Sequence, residues 1–390
     1  MSYNVSNSDN ASRAKTKLQG YIDAGKAQAR GFFQALEDEM PRDYIVTTDG
    51  LDFDVNGGRL VVRTKENEWG LHRNALRQMV EKTGILTGRV ADKMFDAHNA
   101  ESRWGRDLLL HNLRTMYDEG ERDRVLMRVV QTPAQREAGH PGEVRGFLSD
   151  RYRRLNTGPI VQSFAEAAHS IGAVPMRTPV NGAQTYYHDT RIGFSMFLDQ
   201  VFEPVDNETV IVGLTVQSSD FGAAALTLRL VMLRIWCSNL MVTQDELRKV
   251  HLGARLPDDI RFSDDTYRKD TETMASAVRD MVTTLLSPEK INGQMDAVQR
   301  LATERVDAMQ LFNDLRRGGH ILKAEAERLG KLFNEPDIEL MPAGNTAWRA
   351  TQAVSLFANQ VEADGDAERA VDLRHAAGVL FDKYAGKTAA

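Results

Sequence analysis

The sequence predicts an α+β protein: a central antiparallel β-meander with flanking helices and a helical C-terminal region. Three observations carry this expectation. Three neighbouring segments alternate in apolar residues: Ile192, Phe194, Met196 and Leu198; Val210, Val212, Leu214 and Val216; Leu226, Leu228, Leu230 and Met232. Successive strand side chains point to opposite faces, so a period of two gives each strand one apolar face. Asp206-Asn207 and Ser219-Asp220-Phe221-Gly222 supply the turns between them. Beyond Asp264 the apolar spacing is helical nearly to the end, punctuated by Pro288, Pro336 and Pro342.

In chain order, residues 1–12 are Asn/Ser-rich with little to bury and are expected to be disordered. Residues 13–39 suit a helix, which Pro41 stops. Tyr44–Thr48 and Leu60–Thr64 read as strands, with a turn at Asn56-Gly57-Gly58. Leu71–Lys82, Arg89–His98 and Leu108–Tyr117 read as helices. Arg124–Gln131 and Glu143–Leu148 read as strands joined by a Pro/Gly loop. Pro159–Ile171 places Ile160, Phe164, Ala167, Ala168 and Ile171 at helical spacing. After the meander, Thr243-Gln244-Asp245-Glu246 has the capping-box pattern and is expected to open a helix. The expected organisation is a polar tail and helix over 1–40, an α+β core over 41–263 and a helical region over 264–390. The stretch 333–345 reads as a hinge.

Composition narrows the function. The chain has 390 residues, 42% hydrophobic and 27% charged, as expected of a soluble globular protein. It has no charge-free apolar run of membrane-spanning length, so no membrane partner is expected. The start, MSYNVSNSDNASRAK, lacks a signal-peptide core, and the single cysteine allows no internal disulfide. A cytoplasmic location is the expectation. Net charge is −6, which argues against wholesale binding of nucleic acid but leaves room for a local basic site.

No phosphate-binding loop, dinucleotide fingerprint, nucleophile elbow or zinc-like spacing is present. No catalytic residue, cofactor or metal is therefore expected. Cys237, on the most apolar strand, reads as a small buried hydrophobe. Arg234 has the parity of the apolar face and needs a partner, such as Asp150 or a backbone carbonyl.

The segment 143–154 carries Arg145, Arg151, Arg153 and Arg154 against Glu143 and Asp150, with Tyr152 among them. Arginines interleaved with an aromatic suit a single strand, since cations meet phosphates and a ring meets a base. A salt-bridged strand end explains the pattern equally well. Tyr186 and Tyr187 open the meander, and Arg191, Ser195, Thr215, Gln217, Thr227 and Arg229 share its polar face. That face suits nucleic acid, although a solvated outer face is the commoner arrangement. In the C-terminal region, residues 303–390 hold 14 acids and 11 bases. With Ala347-Trp348 and the stripe Val354, Phe357 and Val361, this suggests assembly or partner contact; intramolecular packing is the alternative.

Val144-Arg145-Gly146-Phe147-Leu148-Ser149-Asp150-Arg151-Tyr152, the strand ending Arg234, Cys237 and Asn239, and Asn345-Thr346-Ala347-Trp348 resemble a family of phage- and plasmid-encoded proteins. That family is labelled only as a domain of unknown function, the nine-hundred-and-thirty-second of that series. The resemblance spans most of residues 60–385 and implies structural roles for Ser149, Asp150, Arg234, Cys237, Asn239 and Trp348. Relatives often show a Ser-His-Asp-Gly-like turn, where this chain has Ser219-Asp220-Phe221-Gly222. A weaker similarity at fold level is to phage single-strand annealing proteins.

The expected function is a non-catalytic mobile-element protein that binds single-stranded DNA, in annealing or protection, as a homo-oligomer in a bacterial host cell. The expected contacts are Arg145, Arg151, Tyr152, Arg153, Arg154, Tyr186, Tyr187, Arg191 and Arg229. The alternatives are an interaction protein that binds a host protein and, less favoured, a hydrolase or nuclease with dispersed carboxylates.

Overall fold

Helix α1 (Asp9–Asp38) opens with Ser8 as its cap, whose side chain accepts the Ala11 amide. The computed structural model describes residues 8–82, 90, 93, 103–118, 124–152, 154–178, 185–237, 239–249, 262–337 and 341–386. The expected disorder over 1–12 gives way to helix from Asp9, because Ala11, Ala14, Leu18 and Ile22 bury a stripe. Residues 1–7 lie outside the described residues.

The first sheet has six strands in the order β1-β5-β6-β4-β3-β2. These are β1 (Arg42–Thr47), β2 (Asp52–Asn56), β3 (Arg59–Arg63), β4 (Glu68–Leu71), β5 (Arg124–Val130) and β6 (Glu143–Ser149). Only β4 and β6 run parallel. Gly57 and Gly58, at φ 57° and 80°, form the expected turn of the β2–β3 hairpin. Helices α2 (Arg73–Lys82) and α3 (Arg103–Asp118) pack on one face. Leu76, Met79 and Leu113 there meet Phe53, Val62, Met127 and Phe147. The helix expected over 89–98 lies almost wholly outside the described residues. A short helix, α4 (Pro133–Glu137), sits in the β5–β6 loop.

Helix α5 (Thr157–Ser170) leads into the second sheet, of seven strands. They are β7 (Ala173–Pro175), β8 (Tyr186–Tyr187), β9 (Ile192–Leu198), β10 (Phe202–Val205), β11 (Glu208–Ser218), β12 (Leu226–Arg234) and β13 (Asn239–Lys249). The path β9-β11-β12-β13 is the expected antiparallel meander. Two expectations fail here. The capping-box segment at 243–246 is strand, not helix, because β12 pairs with the flanking residues 239–242 and 246–249 across a register shift and holds the segment between them extended. The polar face is not a solvated exterior either: Ser195, Thr215 and Thr227 are buried. The odd positions also carry Phe197, Ile211, Val231 and Leu233, which pack on α1, so the sheet is covered on both faces.

Six helices follow: α6 (Asp264–Leu285), α7 (Pro288–Thr303), α8 (Ala308–Arg317), α9 (Lys323–Phe333), α10 (Ala347–Ala363) and α11 (Ala367–Ala385). Ser263, Ser287, Asp307, Thr346 and Asp366 cap five of them through their side chains. One apolar cluster runs from Phe194, Leu214 and Leu228 of the meander to Leu301, Trp348, Phe357 and Phe381. The expected boundary at 263/264 therefore does not separate two cores. Val354, Phe357 and Val361 pack inside this cluster, so the stripe serves intramolecular packing rather than assembly. Arg349 ties down the expected hinge by donating to the carbonyls of Phe333, Glu335 and Pro342.

Candidate functional site

The two sheets meet through charged groups. Arg128 sits in the apolar strand β5 and points away from the α2/α3 side. It is 1% exposed and fully engaged. Its Nε donates to Asp43 Oδ1 at 2.8 Å, Nη1 to the Asp220 carbonyl at 2.8 Å and Nη2 to Asn156 Oδ1 at 2.7 Å. Those partners come from β1, the β11–β12 turn and the cap of α5. The turn is itself pinned: Asp220 Oδ1 accepts from the Thr157 amide and hydroxyl at 2.8 and 2.7 Å. The Phe221 carbonyl accepts from Asn74 and Gln78 of α2 at 3.2 and 2.7 Å. The β11–β12 turn is thus a latch between the sheets.

Arg145 corrects the expected phosphate patch. It is 4% exposed and faces three carboxylates. Glu39 lies at 2.6 Å, Glu143 at 3.6 Å and Asp189 at 3.7 Å. His72 joins the group, 3.5 Å from Asp189. A guanidinium so enclosed is already neutralised, and reaching a phosphate requires breaking buried ion pairs. Arg154 lies 3.3 Å from Asp264 and 3.6 Å from Asp43, with its guanidinium carbon 4.8 Å from the Tyr267 ring centroid. Arg151, half-buried, lies 4.0 Å from Asp150, and Ser149 turns the chain by accepting the Arg151 amide on its hydroxyl. Tyr152 is half-buried, and burial raises its phenol above the ordinary range. Arg153 lies outside the described residues.

A cleft of about 880 Å3 opens beside Arg154. One wall is the edge strand β1, with Pro41, Asp43 and Ile45; the other is the start of α6, with Phe262, Tyr267 and Arg268. Ile45 and Phe262 are 42% and 45% exposed. Strand β1 pairs only with β5, and residues 42–47 make no other backbone hydrogen bond among the described residues. The opposite edge, β2, is guarded: Arg114 of α3 donates from Nε and Nη2 to the Phe53 carbonyl. An open edge offers donors and acceptors to another chain.

The tyrosines and the remaining arginines do not join this cleft. Tyr187 packs against Phe32, at a centroid distance of 6.1 Å, and its phenol is raised by burial and then by Glu39. Tyr186 stacks on His188 at 4.9 Å, and burial pushes it up to about 12. Arg191 is exposed. Arg229 bonds His375 of α11 at 3.0 Å, and burial, then Arg229, depresses that imidazole to about 3.

Arg234, Cys237, Asn239 and Trp348, expected to be structural, gather elsewhere. Arg234 donates bidentately to Glu208, Nε to Oε2 at 2.8 Å and Nη2 to Oε1 at 3.0 Å, and its Nη1 reaches Cys237 Sγ at 3.3 Å. Trp348 Nε1 donates to Glu208 Oε2 at 3.2 Å. The partner of Arg234 is therefore Glu208, not Asp150. Burial opposes the Arg234 charge, but Cys237 and Glu208 overcome it and raise the guanidinium. Cys237 lies in the turn after β12 rather than on the strand, and burial pushes its thiol up. Asn239 donates to Gln352 and accepts from Asn359, joining β13 to α10.

Sequence reasoning missed Glu39, Asp43, Arg128, Asn156, Asp189, Glu208 and Asp220. A signal existed for Arg128: a lone arginine within RVLMRVV needs a partner when buried. Among the described residues, no group of three or more His, Cys, Asp or Glu is placed to hold a metal, and no helix is long and apolar enough to cross a membrane. No family model, curated protein or solved structure matches this chain.

Proposed function

We propose that this chain is a non-catalytic interaction protein that takes an extended segment of a partner protein along the edge of β1. The observation that carries this reading is the open edge facing the 880 Å3 cleft, where Arg154 is already matched by Asp43 and Asp264. A neutralised cleft does not attract polyphosphate, but it suits a polypeptide. Main-chain bonds to β1 give affinity, and Ile45, Phe262 and Tyr267 give apolar contacts to alternate side chains. The same cluster disfavours the single-strand reading, since Arg145 and Arg154 are committed to carboxylates. The motif resemblance adds the setting of a mobile element, in which the partner is a host protein.

Site-specific photo-crosslinking in cells tests the reading. A benzophenone side chain at position 45 is expected to trap one discrete protein, and the same probe at exposed Leu322 is not. Thr47→Lys, which guards the edge, is expected to abolish the adduct. An adduct of twice the chain mass identifies a second copy as the partner and fits the expected homo-oligomer. Adducts to nucleic acid, or none at position 45, overturn the proposal.

A further inference from the structure

The segments around Arg234–Asn239 and Asn345–Trp348 meet at a second cavity, remote from the β1 edge. Its volume is about 320 Å3, at the lower end of small-molecule sites. Trp236 and Trp348 give it aromatic walls, and Pro342 and Ala343 add apolar surface. Its charges are unevenly matched. Glu208 lines the cavity but is held bidentately by Arg234, so its charge is cancelled within the wall. Arg13 of α1 lines the mouth, with its guanidinium carbon 5.5 Å from the Trp236 ring centroid. Lys17 Nζ stands 5.7 Å from the same centroid. The seventeen-residue helix α10 begins at the cavity, where its cap Thr346 is part of the wall. Amides at that helix start are taken within the fold: Ala347 donates to the Glu304 carbonyl and Arg349 to the Thr346 hydroxyl. Asp206, exposed in the β10–β11 turn, is an opposing charge on the rim, and Glu203 behind it accepts from the lining residues Asn10 and Asn207.

We infer that this cavity binds a small planar ring bearing an anionic group, with the size and chemistry of a nucleoside monophosphate. The ring lies against Trp236, and the anion meets Arg13. Aromatic walls reward any flat π-face, and a guanidinium pairs with a phosphate through charge-assisted hydrogen bonds. The volume admits one such unit. The site stands apart from the β1 edge, so its fate is independent of the proposed partner.

Calorimetric titration of the full chain with AMP, adenosine and inorganic phosphate tests this. AMP is expected to bind saturably, adenosine about tenfold more weakly, and phosphate alone not measurably. Arg13→Gln, at an exposed position, is expected to reduce AMP affinity about tenfold, to the level of adenosine. Trp236→Ala is expected to abolish binding of both, with circular dichroism confirming the fold. Absent AMP binding, equal affinity for AMP and adenosine, or an Arg13→Gln variant that binds AMP as the parent does, overturns the inference.

Discussion

Replacing Arg128 by methionine asks whether the charged junction holds the two sheets together. Methionine retains much of the stem's packing and removes the guanidinium. Three short hydrogen bonds are lost, to Asp43, Asp220 and Asn156. Asp43 keeps Arg154 at 3.6 Å, so its carboxylate is not stranded, but the Asp220 carbonyl and Asn156 Oδ1 lose this donor. Breaking a buried pair on one side costs about 3–5 kcal/mol. With an unfolding entropy of about 2.1 cal/mol/K per residue over 390 residues, that corresponds to a Tm lower by about 4–6 °C. Chemical denaturation with two spectroscopic probes measures the loss. A double-mutant cycle with Asp43→Asn is expected to give a coupling of at least about 1 kcal/mol. A variant within about 0.5 kcal/mol of the parent refutes the latch.

Glu208→Gln leaves Arg234 without its carboxylate and is expected to cost about 3–5 kcal/mol, while Glu208→Leu with Arg234→Met recovers most of that; urea melts check both. His375 is depressed to about 3 in the folded chain, against 6.5 when free. The unfolded chain therefore binds the extra proton first, and stability falls as pH drops below 6.5 towards 3. By about pH 4 the loss is at most about 3 kcal/mol, less with solvent screening of this half-buried ring; His375→Gln is expected to remove it from the pH profile of stability. Cys237, its thiol raised by burial, is expected to react slowly with a thiol reagent in the native chain, and Cys237→Ala to leave partner crosslinking intact; fast native modification contradicts this.

Local pattern made much of the fold legible. Alternation locates β9, β11 and β12 to within a residue or two, and Pro288, read as punctuation of the helical region, opens α7. Long-range pairing was not legible. The capping box at 243–246 is a sound local signal, but pairing of 239–242 and 246–249 with β12 holds the segment in a strand. The patch failed for a related reason. Arg145 sits among arginines in the sequence, while the carboxylates that neutralise it arrive from Glu39 and Asp189. Parity makes Arg234 legible as a buried arginine that needs a partner, yet that partner, Glu208, lies across the β11–β12 ladder, where register rather than sequence distance brings it close.

The claim that these arginines are internal counter-ions, and not phosphate contacts, has a direct test. Labelled single-stranded DNA is titrated with the full chain at several salt concentrations. With the arginines committed to carboxylates, no salt-sensitive binding is expected at micromolar protein, and no change on Arg154→Glu. Binding that weakens with salt, by a slope of roughly 0.7 per phosphate neutralised, and that Arg154→Glu abolishes in a folded variant, contradicts it.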